Sequence, residues 1–236
     1  GTGGFVLVNT GDKVIKSSNR LLSTIAYQIA GTTTYALEGS IFNAGATIQW
    51  LRDMLGIITD AAETEKLAGS IKETGNVYLV PAFTGLGAPY WDPAARGALV
   101  GITRSTGRAE IARAALEACC YQTADLLRAM AEDGIDTIGM RVDGGMAKNS
   151  WFLQYLANIL DVGIDRPVIT ETTALGVAYL AGLQAGLFES FDEIAGRWRR
   201  ASHFDPQMTS PERKKLLTDW HIAVRRTLKI RELRNS

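Results

Sequence analysis

The chain has 236 residues, of which 46% are hydrophobic and 21% are charged, and its 25 Lys and Arg residues balance 25 Asp and Glu residues. A domain of this length buries enough apolar surface to fold without disulfides or a structural metal. A net charge of zero argues against proteins whose affinity comes from nucleic-acid phosphates or anionic lipids, so a bound anion would have to be held by local backbone geometry.

The first third of the chain predicts strands followed by a helix. Apolar runs at residues 5–8, 21–29 and 35–37 are separated by turn-rich segments, which indicates a small antiparallel hairpin sheet. A helical stripe follows, formed by Ala44, Ile48, Leu51 and Leu55, and Gly56 is a plausible end for this helix. The sequence predicts a further buried strand at residues 77–80.

The rest of the chain alternates between predicted strands and helices. Residues 83–96 contain glycines and prolines typical of an irregular loop, and a strand at 98–103 and a long helix at 110–132 follow. We then expect a strand at 137–142, a helix at 151–160, an extended segment at 162–165, and helices at 172–185 and 211–228. This order predicts an α/β domain with a mixed sheet and helices on its faces.

Metal and membrane sites are not expected. Cys119 and Cys120 are adjacent, and His203 and His221 lie far apart, so neither a disulfide nor a metal site follows. Residues 172–188 carry no charge but fall short of the roughly 20 residues that span a bilayer, and we interpret them as a buried helix. The chain begins at Gly1 inside a glycine-rich run and without Met, from which we expect a fragment lacking its upstream part.

Three glycine clusters lie where strands give way to turns or helices. Such places bind phosphate because free backbone N–H groups and the positive end of a helix dipole point at the ligand. The clusters contain Thr2 beside its glycines, Gly45 with Gln49, and Gly145 with Asn149. A hairpin turn or close helix packing would explain each cluster alone. The shared Gly-x-x-x-amide spacing of the second and third clusters indicates a nucleotide lying on both helix faces.

Other nucleotide and hydrolase signatures are missing. The sequence contains no P-loop motif, no Gly-x-Gly-x-x-Gly motif and no His-Glu-x-x-His motif. Glu38, Asp92 and Asp143 are candidate carboxylates, but capping or turn support explains each of them as well.

Several strings resemble the C-terminal half of the glycerol kinases, a group within the FGGY family of carbohydrate kinases. The resemblance covers essentially the whole chain, and residues 83–93 separate this group from sugar-kinase relatives. The strings are Gly-Thr-Gly-Gly-Phe at 1–5, Tyr-Ala-Leu-Glu-Gly at 35–39, Ala-Gly-Ala-Thr-Ile-Gln-Trp-Leu-Arg-Asp at 44–53, Phe-Thr-Gly-Leu-Gly-Ala-Pro-Tyr-Trp-Asp-Pro at 83–93, Val-Asp-Gly-Gly at 142–145 and Thr-Ala-Leu-Gly at 173–176.

The resemblance implies two ribonuclease-H-like, actin-type domains facing each other across a cleft that holds MgATP and glycerol. Residues 1–236 would be the C-terminal nucleotide-binding domain. Thr2 would meet the nucleotide phosphates, Gly45 and Gln49 would lie beside the nucleotide, Gly145 and Asn149 would complete the pocket, and Phe5 would offer an apolar wall to glycerol. The general base and most polar glycerol contacts would belong to the missing N-terminal domain, so this chain has no catalytic residue and is expected to be inactive alone.

The resemblance further implies a cytoplasmic homo-oligomer that binds glycerol, ATP or ADP, with Mg²⁺ as the only metal and with no nucleic-acid or membrane partner. Gly4 departs from the family pattern, where cysteine is common, and so do Lys148 and Ser150 around Asn149. Two alternatives stay open: another FGGY sugar kinase, and a non-catalytic actin-like module that binds nucleotide.

Overall fold

A computed structural model of the chain describes residues 2–234, with side chains described as far as residue 228. Its strands are β1 (Gly4–Gly11), β2 (Leu22–Ile29), β3 (Thr32–Ile41), β4 (Tyr78–Val80), β5 (Ala98–Val100), β6 (Gly139–Arg141), β7 (Gly163–Pro167) and β8 (Arg200–Phe204). Its helices are α1 (Gly45–Asp53), α2 (Glu63–Gly69), α3 (Arg108–Glu132), α4 (Ser150–Leu160), α5 (Thr172–Gln184), α6 (Phe191–Ala195) and α7 (Ser210–Arg234). The predicted α/β class is confirmed.

The first sheet is antiparallel, with the strand order β1-β3-β2, as the hairpin pattern predicts. Val6 lies opposite Gly39 and Val8 opposite Leu37, and Val6, Gly39 and Leu37 are buried. A Cβ atom at Gly39 would come within 2.6 Å of Leu126 in α3. Glycine at this position therefore lets α3 pack directly against the sheet.

The remaining strands form two further small sheets. β4 pairs with β5 in an antiparallel manner, and the 83–96 loop connects them without regular structure, as predicted. In the third sheet β6 runs parallel to β7, whereas β7 and β8 are antiparallel, so this sheet is the predicted mixed one. Helix α4 packs against β7, whose Ile164 is completely buried.

Some elements differ from the sequence-based expectation. Helices α2 and α6 and strand β8 are absent from the prediction, because short segments carry little periodic signal and β8 depends on pairing with the distant β7. The expectation of a buried helix at residues 172–188 is wrong in one respect. Helix α5 forms, but Gly182 is its only buried residue, and Val177 is 65% exposed. Phe188 packs closely on Gly182, and its ring meets that of Tyr179 in the same helix.

Helix α3 is the centre of the core and packs against α1, α2, α4, β3 and β4. Its Glu117 is buried and forms an ion pair of 2.7 Å with Arg113, while the hydroxyl of Tyr121 donates to the same carboxylate at 3.1 Å. Burial raises the pKa of Glu117, and the Arg113 guanidinium opposes this shift. Arg113 also lies over the rings of Trp151 and Tyr155 in α4, so the pair joins the two helices.

The substitution Glu117→Gln should lower the free energy of unfolding of the 236-residue chain by about 3–5 kcal/mol, because Arg113 would keep a buried charge without a partner. Urea unfolding followed by circular dichroism measures this loss. Glu193→Gln is the matched control, since Glu193 forms an exposed pair with Arg197 at the same four-residue spacing. It should cost less than about 1 kcal/mol. Equal losses in the two variants would contradict the importance of the buried pair.

Candidate nucleotide site

The first part of the site joins the start of β1 to the start of α1. The carbonyl of Thr2 accepts a hydrogen bond of 3.0 Å from the backbone N–H of Ala46, in the first turn of α1. A Cβ atom at Gly3 would come within 2.7 Å of the Ile41 carbonyl, so the close approach of this glycine segment to β3 requires glycine. The structure thus brings Thr2 and Gly45 together. Gly1, which belongs to the same predicted turn, lies outside the described residues.

Helix α1 has the predicted orientation. Ile48 and Leu51 are buried, as the stripe predicts, while Gln49 is exposed one turn after Gly45. No side chain caps the helix at Ala44. The exposed surface along Gly45 and Gln49 therefore combines a residue without a side chain and an amide that is free to form hydrogen bonds with a ligand.

Phe5 lies on the outward side of the first sheet, next to the glycine turn. It is 66% exposed and pairs across the strands with Ser40, while the following Val6 points into the core. Leu7 is also exposed and lies opposite Glu38. Two large apolar side chains therefore stand in solvent beside a turn built for close backbone approach, which is typical of a ligand-facing wall.

The second part of the site follows β6. Gly144 has a φ of +81°, a left-handed conformation that favours glycine, and its N–H donates to the Thr170 carbonyl at 2.9 Å. Gly145 then begins a 3₁₀ turn that spans Gly145–Lys148. A Cβ atom at Gly145 would meet no other atom within 4 Å. The backbone at Gly145 is therefore open to a ligand.

The predicted helix face shared by Gly145 and Asn149 is wrong. The 3₁₀ turn ends at Lys148, and Asn149 has an extended backbone, so the four-residue spacing does not stack the two residues. Instead, Asn149 caps α4: its Oδ1 accepts from the N–H of Phe152 at 2.8 Å, and its Nδ2 donates to Thr64 at 3.4 Å. The sequence pattern assumed one continuous helix, which the glycine-led turn interrupts.

The start of α4 is not open to an anion. The Glu65 carboxylate in α2 accepts from the N–H groups of Ser150 and Trp151 at 3.0 and 3.3 Å. Together with the Asn149 cap, it occupies the groups that would otherwise attract a phosphate. In this second part of the site, a ligand would therefore meet the Gly144–Gly145 backbone rather than the helix terminus.

Sequence reasoning missed the residue that supports this turn. Arg166 in β7 donates to the carbonyls of Ala147 and Lys148 at 3.2 and 3.4 Å, and to the Oγ atoms of Ser150 and Ser202. These contacts cross 16 to 36 positions of sequence, so no local pattern signals them.

The candidate carboxylates have structural partners in the described residues. Thr172 donates to Asp143, Ser40 donates to Glu38 at 3.3 Å, and Asp92 accepts from the N–H groups of Ala94 and Ala95. Turn support thus accounts for these contacts of Asp92, whereas Glu38 contacts its neighbour within β3 and Asp143 contacts the first residue of α5.

The two parts of the site lie on separate elements. Among residues 2–234, no hydrogen bond joins Thr2, Gly45 or Gln49 to Gly145 or Asn149. Both parts rest on α3, which packs against α1 on one side and α4 on the other.

Comparison with known proteins identifies the type of domain. The sequence matches the C-terminal domain of the FGGY family of carbohydrate kinases over residues 1–185. The chain belongs to the FGGY family of carbohydrate kinases. Relatives include glycerol kinase from Rhodospirillum centenum, 62% identical over 96% of this chain, and glycerol kinase from Coxiella burnetii, 58% identical over 97% of it. The chain spans 46% of the length of each relative.

Solved structures agree with this assignment. The crystal structure of Plasmodium falciparum glycerol kinase with ADP is 38% identical, with a TM-score of 0.88, covering 97% of this chain and 46% of that one. A gluconate kinase from Lactobacillus acidophilus, 24% identical with a TM-score of 0.80 over the same shares, has the same fold. These likenesses to FGGY kinases confirm the predicted ribonuclease-H-like, actin-type fold. No helix within the described residues is both long and apolar enough to cross a bilayer.

In this FGGY chain, the strand beside the second part of the site carries an ionisable cluster. Nδ1 of His203 lies 2.6 Å from Asp165, and its Nε2 lies 3.0 Å from Asp205. The hydrogen bond to Asp165 raises the pKa of His203 above its ordinary value of 6.5, and that to Asp205 adds to this shift. Burial alone would raise the pKa of the Asp165 carboxyl group, but hydrogen bonds from His203 and Arg200 lower it below its ordinary value.

The stabilisation by His203 should depend on pH. Because its pKa is raised on folding, the stabilisation is complete below about pH 6.5 and is lost as the pH rises through the folded-state pKa. His203→Gln should therefore lower the melting temperature more at about pH 6 than at about pH 8.5. Calorimetry at the two pH values tests this, and the difference should shrink in an Asp165→Asn background. A loss independent of pH would contradict the charged His203–Asp165 pair.

Proposed function

We propose that the full-length protein carrying this chain transfers the terminal phosphoryl group of MgATP to glycerol, giving glycerol 3-phosphate and ADP. The observation that carries this proposal is the 62% identity to a glycerol kinase over nearly the whole chain. The 83–93 string, by which the glycerol kinases differ from sugar-kinase relatives, lies within the matched region.

The proposed nucleotide residues are Thr2, Gly45, Gln49, Gly145 and Asn149. Thr2 would meet the phosphates beside the glycine turn, and the nucleotide would lie along Gly45 and Gln49 on the exposed side of α1. The open backbone at Gly145 supports a role as the second wall. Asn149 would complete the pocket next to the Gly145–Lys148 turn, while its amide oxygen caps α4.

Phe5 is the proposed wall for the carbon side of glycerol. Its exposed ring stands next to the turn that would hold the phosphates, so the acceptor would lie close to the group that it receives. Positioning of donor and acceptor, together with electrostatic stabilisation, accounts for most of the catalysis in phosphoryl transfer.

The chemistry of the transfer would come from the other half of the protein. Within the described residues, no group of three or more His, Cys, Asp and Glu side chains is placed to hold a metal ion. Mg²⁺ would arrive as part of the substrate MgATP, and the general base would belong to the N-terminal domain. The exposed apolar side of α5, with Val177 and Leu180, supports contact with that domain. Cytoplasmic location and homo-oligomer formation are parts of the same proposal.

A coupled assay for ADP tests the proposed function. The full-length protein should consume ATP when glycerol is present and far less when a pentulose replaces it, whereas the 236-residue chain alone should show no activity above a mock purification. Glycerol-independent ATP consumption would favour a nucleotide-binding module without this transferase activity. Greater activity on the pentulose would assign the protein to another sugar kinase group.

The nucleotide site is tested by Gly145→Trp in the full-length protein. A Trp side chain would fill the space above Gly145 and should weaken ADP binding at least about tenfold, or about 1.4 kcal/mol. Titration calorimetry measures the affinity. Ile138→Trp is the control, because Ile138 is 98% exposed at the opposite end of β6 and should leave the affinity unchanged. Equal affinities for wild type and Gly145→Trp would remove Gly145 from the site.

A further inference from the structure

Asp125 is a buried carboxylate with partners from three parts of the chain. It lies in α3 and is 1% exposed. Its Oδ2 accepts from the Tyr90 hydroxyl at 2.6 Å and from Nε1 of Trp220 at 2.8 Å, while Nε2 of His221 lies 2.7 Å from Oδ1. Arg128 is 3.6 Å away and largely exposed. Because a buried charge is costly unless it is paired, these contacts hold the 83–96 loop, through Tyr90, and helix α7, through Trp220 and His221, firmly against α3.

Tyr90 connects Asp125 to the 83–96 loop. Within the loop, Leu86 and Asp92 exchange two backbone hydrogen bonds of 2.9 and 3.1 Å, so the segment between them is fixed as a unit. Trp91 then donates to the carbonyl of Arg20 at 2.7 Å, and Arg20 donates back to the carbonyl of Tyr90 at 3.1 Å. A tether at Tyr90 therefore orients the whole unit and not one side chain alone.

The same loop presses against the end of β3. A Cβ atom at Gly87 would lie 2.7 Å from the Ser40 carbonyl and 3.2 Å from the ring of Phe42, and the ring of Trp91 meets that of Phe42 edge-on. Such close backbone contact transmits a shift of the loop to the strand.

This end of β3 supports the acceptor side of the proposed site. Ser40 is the cross-strand neighbour of Phe5, and Gly4 pairs with Ile41. The nucleotide side has its own support, since the bond between the Thr2 carbonyl and the N–H of Ala46 does not involve the loop. A displaced loop would therefore reach Phe5 through its cross-strand neighbour Ser40, while the Thr2–Ala46 hydrogen bond would still hold the start of α1.

We propose that Asp125, acting through Tyr90, is a positioning residue for the acceptor: it holds the 83–96 loop against β3 and thereby sets the place of Phe5. The inference rests on the proposed phosphorylation of glycerol. Asp125 touches neither glycerol nor nucleotide in this proposal. Its loss should therefore change kcat/KM for glycerol and not KM for ATP.

The experiment compares two Tyr→Phe variants of the full-length protein. Tyr90→Phe removes the loop's hydroxyl from Asp125, and Tyr121→Phe removes a hydroxyl that donates to Glu117, the other buried carboxylate of α3. Tyr90→Phe should lower kcat/KM for glycerol about tenfold, because a small misplacement of reacting groups reduces the rate strongly. Its KM for ATP should stay within about twofold of wild type. Tyr121→Phe should lower the melting temperature but leave kcat/KM for glycerol unchanged.

A double-mutant cycle with Asp125→Asn identifies the partner of Tyr90. If the two residues act through one hydrogen bond, Tyr90→Phe should have little further effect on kcat/KM for glycerol in the Asp125→Asn background. Full additivity, wild-type kinetics of Tyr90→Phe, or an equal loss in Tyr121→Phe would each overturn the inference. If Asp125→Asn does not fold, the two Tyr→Phe variants decide alone. A wild-type protein without glycerol-dependent ATP consumption would instead refute the proposed function.

Discussion

Two buried carboxylates on helix α3 determine where the neighbouring elements lie. Glu117 is paired with Arg113, whose guanidinium also covers aromatic rings of α4, and Asp125 binds the 83–96 loop and α7. Burying an unpaired charge is costly, so each carboxylate requires its partners in a fixed place. The polar contacts therefore add fixed positions for α4, α7 and the 83–96 loop to the apolar packing around α3.

The two carboxylates act on different parts of the candidate site. The Glu117 network fixes α4, whose first residue follows Asn149 and the open turn at Gly145. The Asp125 network fixes the loop that lies against Ser40 and Phe42, close to Phe5 and to the start of α1. Because both networks belong to one helix, the two parts of the site keep a constant relation although no hydrogen bond between described residues joins them.

Local patterns predicted the features that depend on nearby residues. The stripe of Ile48 and Leu51 gave the correct buried side of α1, and glycine placement gave the turn at Gly144 and Gly145. Local patterns could not predict the long-range contacts. The support of the turn by Arg166, the pairing of β8 and the partners of Asp125 all join positions that are distant in the sequence. The predicted stacking of Asn149 on Gly145 is wrong for a different reason, since the turn is 3₁₀ and ends at Lys148, and Asn149 itself has an extended backbone.

The charge balance has a consequence for how the proposed kinase would work. In the proposed site, this domain would offer phosphate backbone N–H groups at its glycine clusters and the hydroxyl of Thr2. Stabilising the charge that develops in phosphoryl transfer needs cations and a base close to the reacting oxygens. If these come from the other half of the protein, nucleotide binding and reaction are separated until the two halves close on the substrates. Under the proposed function, the exposed apolar residues Val177 and Leu180 of α5 would lie on the surface on which this closure takes place.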